Sequence, residues 1–323
     1  MAWRDGGALK TGFIAHSPRM LEVLRDVDLY ARARTPLLLV GATGTGKTTL
    51  AELIHACSGR AGPFSPHTAG EFDRNLEQSQ IFGHERGAFT GAIDRHTGIL
   101  EEAAEGTLLL DDFHHLRRST QTLLLRVLDR AAFRRLRGSR DLALRCRVII
   151  GLTESPDRLV ERGTLLAELR FRLGYSMIRL PTLAERRDDI PGLAVRFLER
   201  CPLETEDTGP VRIAAEALAL LQNASWPGNV RQLEMVVRDA YLRAKGSTSI
   251  ELGHLSELVQ LPVRFERRGD RAEKEQAVRF AMEITKGQVG RAAKLLRTSR
   301  VTVYHYLHAR RGAARVSSSG GGS

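Results

Sequence analysis

Residues 41–48 read Gly-Ala-Thr-Gly-Thr-Gly-Lys-Thr, and this stretch decides the fold. It follows the apolar run 37–40 and precedes a helical pattern that begins at Thr49. A glycine-rich turn between a buried strand and a helix surrounds a phosphate with backbone N–H groups at the helix N-terminus. Lys47 can then reach the outer phosphates, and the Thr48 hydroxyl can bind magnesium. The stretch therefore predicts a site for a nucleoside triphosphate with magnesium. The predicted nucleotide-binding residues are Gly41, Ala42, Thr43, Gly44, Thr45, Gly46, Lys47, Thr48 and Thr49.

Composition limits the class of protein. The 323 residues are 42% hydrophobic and 27% charged, which is typical of a globular chain of two or three domains. The net charge of +11 favours a polyanionic partner, either nucleic acid or a membrane surface. No apolar run of 18 residues and no signal peptide is visible, and three distant cysteines are typical of a reducing compartment. We expect a cytoplasmic protein that does not enter a membrane.

Alternating strand and helix patterns follow the phosphate loop. Residues 107–112 and 148–153 are apolar strand patterns, and residues 120–128 have helical periodicity. This alternation predicts an α/β fold with a largely parallel sheet and ligands at the carboxyl ends of its strands. After about Pro181 the strand signal disappears, which predicts a smaller helical domain. Its predicted helices span residues 190–198, 213–221, 230–244 and 252–258.

Two carboxylates end the second strand pattern. Asp111 follows three leucines, and a carboxylate at a strand end can hold the magnesium shell of a bound triphosphate. Asp112 is the candidate for polarising the attacking water. The adjacent pair His114-His115 is interpreted as part of a loop, because sequence neighbours do not face one way.

Residues 83–92, Gly-His-Glu-Arg-Gly-Ala-Phe-Thr-Gly-Ala, fit neither a helix nor a strand. Glycines at this density disfavour a helix, yet Phe89 and Thr90 stand together at the centre. We predict a mobile loop that presents this Phe-Thr tip to a partner.

The C-terminal unit has the pattern of a DNA-binding helix-turn-helix. Small alanines follow Gly290, and a polar start at Ser299 opens a further helix. Residues 264–315 hold 14 Lys and Arg against 5 Asp and Glu, so 14 − 5 = +9 of the chain's +11 lies here. The predicted partner is double-stranded DNA, bound mainly through phosphates. The predicted contact residues are Ser299, Arg300, Thr302 and Tyr304.

Residues 87–92 spell GAFTGA, and on this motif the chain resembles the bacterial enhancer-binding proteins, AAA+ ATPases that activate sigma-54 RNA polymerase. Further matches lie at 82–85 (Phe-Gly-His-Glu), 106–111 (Gly-Thr-Leu-Leu-Leu-Asp) and 226–233 (Trp-Pro-Gly-Asn-Val-Arg-Gln-Leu). The resemblance covers roughly residues 14–311. The C-terminal unit looks like the Fis-type DNA-binding domain of that family.

The resemblance implies a mechanism and a domain plan. ATP is the implied nucleotide, Arg231 a nucleotide sensor on a helical lid, and Arg172 a finger that completes a neighbour's site in a ring, expected to be a hexamer. The implied sigma-54 contacts are Gly87, Ala88, Phe89, Thr90, Gly91 and Ala92, with Thr90 as the main one. The expected domains are an N-terminal tail (1–13) too short for a regulatory domain, an α/β ATPase subdomain (14–181), a lid (182–258), a linker (259–271), the helix-turn-helix (272–311) and a flexible tail or cloning remnant (312–323).

Four positions depart from the family pattern. Asp112 is one methylene shorter than the usual glutamate, Thr68 stands at the family's switch asparagine, and Glu154 replaces a neutral amide. Leu166 occupies the first arginine-finger position, and nearby Arg170 is a candidate substitute. These changes are expected to spare nucleotide binding and to weaken hydrolysis. Two hypotheses follow: a homo-oligomeric sigma-54 activator, or an ATP-binding, hydrolysis-deficient DNA-binding regulator in a hetero-oligomer with a competent homologue.

Overall fold

A computed structural model describes residues 13–174, 176–205, 209–210, 212–255, 259 and 270–307. The chain divides into two compact units, of which the first ends at Arg186 and the second begins at Arg187. Each unit has its own secondary structure and its own buried residues.

A five-stranded parallel sheet forms the centre of the first unit, in the order β2-β3-β6-β1-β7. The strands of this sheet are β1 (Leu37–Val40), β2 (Phe64–Thr68), β3 (Thr107–Asp111), β6 (Arg147–Leu152) and β7 (Met177–Arg179). Two shorter strands, β4 (Ala132–Phe133) and β5 (Leu142–Ala143), form a separate antiparallel pair. Its helices are α1 (Pro18–Tyr30), α2 (Lys47–Ser58), α3 (Glu77–Phe82), α4 (Ile99–Glu102), α5 (Arg118–Arg130), α6 (Pro156–Glu161) and α7 (Ala167–Leu173).

Alternate residues of the central strands pack on opposite faces of the sheet. Leu37 and Leu39 of β1 join the apolar cluster that holds α1 and α2. Leu38 and Val40 join the other cluster, which holds α3 to α7. All four side chains are buried, which is why these strands appear in the sequence as unbroken apolar runs. The predicted α/β fold with a parallel sheet is confirmed.

The two outer strands were not predicted. β2 reads Phe-Ser-Pro-His-Thr and buries none of its residues fully, and β7 buries only Ile178. Pro66 has no N–H to donate, so its strand belongs at the edge of a sheet, where β2 lies. An edge strand covered on one side does not need the apolar run by which a buried strand is recognised.

The second unit is mainly helical. It contains α8 (Ile190–Thr205), β8 (Arg212–Ile213), α9 (Ala215–Asn223), α10 (Asn229–Arg243), β9 (Ser249–Ile250), α11 (Leu252–Leu255), α12 (Arg271–Ile284) and α13 (Val289–Leu295), and residues 300–307 are also helical. The expectation of no strand after Pro181 was wrong, because β8 and β9 form a short parallel pair. A two-residue pair is too short to produce an apolar alternation. The predicted helix at 252–258 extends past the described residues.

No helix in the described ranges is both long and apolar enough to cross a membrane.

Candidate functional site

The loop 41–48 leaves β1 and enters α2 through two left-handed glycines. Gly44 has φ 77° and Gly46 has φ 102°, conformations that a side chain strains. The loop closes on itself, because the backbone N–H and the hydroxyl of Thr45 both donate to the Ala42 carbonyl, at 3.2 and 2.7 Å. The Thr45 carbonyl in turn accepts from Arg186. The resulting turn stands at the N-terminus of a 12-residue helix, the geometry that binds phosphate.

Lys47 of this turn contacts Asp111, the last residue of β3. Lys47 is only 5% exposed, and its Nζ lies 3.1 Å from the Gly41 carbonyl and 3.5 Å from Asp111 Oδ1. A β-carbon on Gly151, in neighbouring β6, would lie 2.1 Å from Asp111 Oδ1, so the glycine makes room for the carboxylate. Burial raises the pKa of Asp111, and the attraction of Lys47 opposes that rise. Thr48 is exposed on the first turn of α2, so one hydroxyl and one carboxylate, both hard oxygen ligands, supply the donors that phosphate-bound magnesium requires.

Asp112 follows in a left-handed conformation, with φ 52°. Its backbone N–H donates to Asp111 Oδ1 at 2.9 Å. Its own Oδ1 is buried and has no hydrogen-bond partner among the described residues. A buried carboxylate oxygen without a donor is costly, and a water or substrate proton would satisfy it.

His114 lies beside these carboxylates, a position that sequence reasoning missed. The side chain is buried, and its Nε2 lies 3.3 Å from Thr153 Oγ1 at the end of β6. Burial and then the adjacent His115 lower the pKa of His114, which favours a neutral imidazole. The pair His114-His115 belongs to a short 3₁₀ turn. No local pattern indicates that one of two adjacent histidines turns inward.

Three of the residues that differ from the family pattern, Thr68, Glu154 and Leu166, form contacts within the first unit. Thr68 ends β2 and forms a capping box with Glu71. Glu154 pairs with Arg162 at 2.5 Å, which offsets part of the repulsion expected from an acid near the phosphates. Leu166 is buried in the apolar core at the start of α7.

Two arginines on α7 are paired within their own subunit. Arg172 Nε donates to Asp129 Oδ1 at 2.9 Å, and its Nη2 donates to the Leu128 carbonyl at 3.2 Å. Arg170 pairs with Asp157. Both ion pairs are largely exposed, so neither contributes much to stability, and either arginine can exchange its carboxylate for another anion at little cost.

A cleft of about 630 Å³ opens beside the phosphate loop. Gly41 and Ala42 form one wall, and an ion pair between Arg19 of α1 and Glu185 stands at another. Thr153 and Glu154 also line it. Its size suits the nucleoside part of a nucleotide. Sequence reasoning missed this cleft, because the residues that line it come from segments far apart along the chain.

The segment 87–92 forms a tight exposed turn. The Gly87 N–H donates to the Ala92 carbonyl at 2.8 Å, and the Ala92 N–H donates to the Phe89 carbonyl at 3.0 Å. Phe89 is 39% exposed and its ring lies edge-on to His84, with 5.0 Å between centroids. Thr90 and Gly91 are exposed. The Phe-Thr pair therefore stands at the surface on a loop closed by its own backbone.

Arg135 holds the base of this turn, and sequence reasoning missed it too. Its guanidinium bonds Glu101 through two hydrogen bonds, at 2.7 and 2.6 Å, and Glu85 through a third at 2.7 Å. The side chain is only 8% exposed. The acids lie 34 and 50 residues away, so no local motif predicts the cluster.

In the second unit, Arg231 is exposed at the start of α10. The preceding Trp226 is buried, and its Nε1 donates to the Leu221 carbonyl at 2.9 Å. Near the C-terminus, Ser299 accepts the Thr302 N–H at 3.0 Å and so caps the helical residues 300–307. Arg300 and Tyr304 are exposed there, while Val303 is fully buried.

Fold and site together define a P-loop nucleotide-binding protein of the AAA+ type. Residues 13–179 match the sigma-54 interaction domain, and residues 184–270 match the AAA+ ATPase lid domain. The chain therefore belongs to the sigma-54-dependent activator family.

The chain resembles several known proteins in sequence or in structure. Over 77% of the chain and 48% of the relative it is 38% identical to nitrogen fixation protein VnfA of Azotobacter vinelandii. It is 33% identical to transcriptional regulatory protein GlrR of Escherichia coli, over 94% of the chain and 68% of that protein. The structure of Brucella abortus NtrX in complex with ATP matches with a TM-score of 0.72 and 26% identity, over 91% of the chain and 68% of NtrX. The chain thus spans about half of VnfA and about two thirds of GlrR and NtrX.

Proposed function

We propose that this protein is an ATP-dependent activator of sigma-54 RNA polymerase that pushes on the polymerase with Phe89 and Thr90. The observation that carries the proposal is the exposed Phe-Thr turn on the same compact unit as the phosphate loop. The family match to a sigma-54 interaction domain supports the choice of partner.

ATP binding would begin at the phosphate loop. Backbone N–H groups at the start of α2 surround the phosphates, and Lys47 exchanges the Gly41 carbonyl for a phosphate oxygen. The NtrX complexes with ADP and with ATP support this nucleotide. Magnesium, held by Thr48 and Asp111, would neutralise charge on the outer phosphates. Arg231 is the proposed sensor of the bound nucleotide.

Hydrolysis would depend on Asp112. Its unpartnered buried oxygen is the group available to accept a proton from the attacking water. The imidazole of His114 lies within hydrogen-bonding distance of Thr153 and can orient a neighbouring hydroxyl or water. Arg172 of one subunit is proposed to reach the site of the next in a ring, where it would stabilise the charge of the transferring phosphate.

A reconstituted sigma-54 transcription assay tests the mechanical step. Thr90→Val should abolish promoter opening while ATP turnover remains, because Thr90 is exposed and far in sequence from the phosphate loop. Thr97→Val, which removes a hydroxyl from a half-buried residue outside the 87–92 turn, is the control and should retain opening. Promoter opening by Thr90→Val at the level of the parent protein contradicts the proposal.

The C-terminal helices are proposed to bind double-stranded DNA upstream of the promoter. Arg300 and Tyr304 are exposed on the last described helix, and Ser299 and Thr302 form its first turn. Arg300→Gln should weaken DNA binding and lower the dependence of the affinity on salt by about one phosphate contact. Arg271→Gln, which removes an equal charge at an exposed residue of α12, should have the smaller effect. Equal losses from both variants would assign the binding to overall charge.

The second candidate function is an ATP-binding auxiliary subunit in a mixed ring. The replacements at Thr68, Asp112, Glu154 and Leu166 favour it, and Leu166 carries no charge to offer a neighbour. ATP turnover that rises steeply with protein concentration supports the self-sufficient activator. Tight nucleotide binding without turnover at any concentration, restored by mixing with a competent homologue, supports the auxiliary subunit.

A further inference from the structure

A second cavity, of about 660 Å³, lies at the opposite edge of the sheet from the phosphate loop. Its walls come from the segments that lead into β1, β2, β3 and β6, so it stands at the amino ends of the parallel strands. Strands of four to six residues span roughly 13 to 20 Å, which separates this cavity from the nucleotide site. Four arginines line it, and they are named here the arginine pocket: Arg32, Arg34, Arg60 and Arg145.

The positive charge of the arginine pocket is scarcely compensated. Among the described residues, Arg32, Arg34 and Arg60 form no ion pair. Arg145 approaches Glu105 at 3.8 Å, with both side chains about two thirds exposed, so this pair contributes little. Of the described residues that line the cavity, Glu105 is the single acid.

A fifth arginine is buried at the start of β6. Arg147 is 1% exposed, and its Nη1 donates to the Ala31 carbonyl at 2.7 Å. Its Nε and Nη2 have no hydrogen-bond partner among the described residues. Burial and then the positive charge of Arg60 lower the pKa of Arg147 to about 10, so Arg147 and the pocket residue Arg60 repel each other. Such a buried cation is costly unless an anion compensates it.

We propose that the arginine pocket binds a small molecule that carries two or more phosphate groups. The planar guanidinium fork fits phosphate oxygens with paired hydrogen bonds, and arginine rather than lysine is the residue suited to this recognition. Four arginines against one glutamate match a multivalent anion better than a single carboxylate. The volume is that of a small-molecule site rather than of a flat surface. An oligophosphate and a nucleotide share the required chemistry.

Calorimetric titration of the full chain with inorganic tripolyphosphate tests the proposal. Lys47→Ala serves as the background, so that binding at the phosphate loop does not mask the second site. Replacing Arg32 and Arg60 together by glutamine should weaken tripolyphosphate binding at least about tenfold, because it removes two guanidinium groups that would form charge-assisted hydrogen bonds with the phosphates. The matched control replaces Arg25 and Arg126, two exposed arginines of the same unit without ion pairs to described residues, and should change the affinity less than about twofold.

Arg147→Met provides an independent readout. It should weaken tripolyphosphate binding and leave the melting temperature unchanged or higher, because it removes an uncompensated buried charge. Unchanged affinity in both Arg147→Met and the Arg32/Arg60 variant overturns the proposal. So does an equal loss in the control pair, or the absence of any binding in the Lys47→Ala background.

Further probes identify the source of the phosphates. In the same background, ADP binding that is tighter than pyrophosphate binding supports a nucleotide, and pyrophosphate binding alone supports a free oligophosphate. A hexaglutamate peptide that binds more tightly than tripolyphosphate overturns the proposal in favour of an acidic protein partner. Loss of duplex DNA binding in the Arg32/Arg60 variant, without tripolyphosphate binding in the parent, overturns it in favour of nucleic acid.

Discussion

The phosphate loop and the 87–92 turn both close through hydrogen bonds among their own residues, but they differ in the exposure of their functional side chains. Both segments use left-handed glycines, Gly46 in the first and Gly91 in the second. The first buries Lys47 beneath a strand end, and the second leaves Thr90 at the surface. Each segment is also contacted by an arginine from elsewhere in the chain, because Arg186 donates to the Thr45 carbonyl and Arg135 donates to Glu85. A side chain that reaches a ligand inside the protein can be buried, while one that contacts another molecule must remain exposed.

The largest effect is expected from Lys47→Ala. The variant removes the buried ammonium group that reaches the phosphates, and loss of charge-assisted contacts of roughly 1.5–3 kcal/mol should lower ATP affinity by about 100-fold. Titration of a fluorescent ATP analogue measures it. Glu52→Gln, at an exposed position one turn further along α2, is the control. An ATP affinity within about twofold of the parent would show that the loop does not bind phosphate.

Arg135→Gln should produce the next largest effect, about 2 kcal/mol of lost unfolding free energy. Breaking a fully buried pair costs about 3–5 kcal/mol, and the partial exposure of Glu85 and Glu101 reduces this. Urea denaturation measures the stability, and faster amide exchange at residues 84–96 would report an opened base. The adjacent Arg134→Gln removes only an exposed pair with Asp141 and should leave both readouts unchanged. Equal destabilisation by the two variants would refute the supporting role of Arg135.

The affinity of the phosphate loop for magnesium-ATP should depend on pH, because Asp111 is a proposed magnesium ligand. Burial raises the pKa of Asp111, so the folded protein holds this proton more tightly than an ordinary carboxyl group does. The proton therefore competes with magnesium at a higher pH than usual, and below the folded pKa the affinity should fall by up to about tenfold per pH unit. Titrations in matched buffers measure it. An Asp111→Asn variant should lose this dependence along with most of the magnesium requirement.

The smallest effect on the fold is expected from Thr90→Val. Because Thr90 is exposed, the free energy of unfolding should change by less than about 0.5 kcal/mol. The ATP affinity should remain within about twofold of the parent. Chemical denaturation and nucleotide titration check both values. A larger loss of stability would mean that Thr90 supports the turn, and would remove it as a specific contact residue.

Local patterns predicted the parts of the molecule whose causes are local. The buried strands β1, β3 and β6 appear as apolar runs because both faces of the sheet are covered. The edge strands β2 and β7 were missed because a partly exposed strand lacks that run. Asp112 illustrates the limit at the site: the sequence shows an acid after the strand, but the unpartnered buried oxygen depends on backbone conformation and on neighbours.

Local patterns in the sequence were enough to predict the phosphate loop, the parallel α/β architecture, the Phe-Thr tip and the basic C-terminal segment, because each depends on residues close together in the chain. Which distant groups meet depends on the tertiary structure: Arg135 with Glu85 and Glu101, His114 with Thr153, and the four arginines that line one cavity. The physical reason is that a parallel sheet brings the corresponding ends of strands together whatever their separation in sequence. Charges and hydrogen-bonding groups at those ends interact through short distances in space, which no local spacing of residues records.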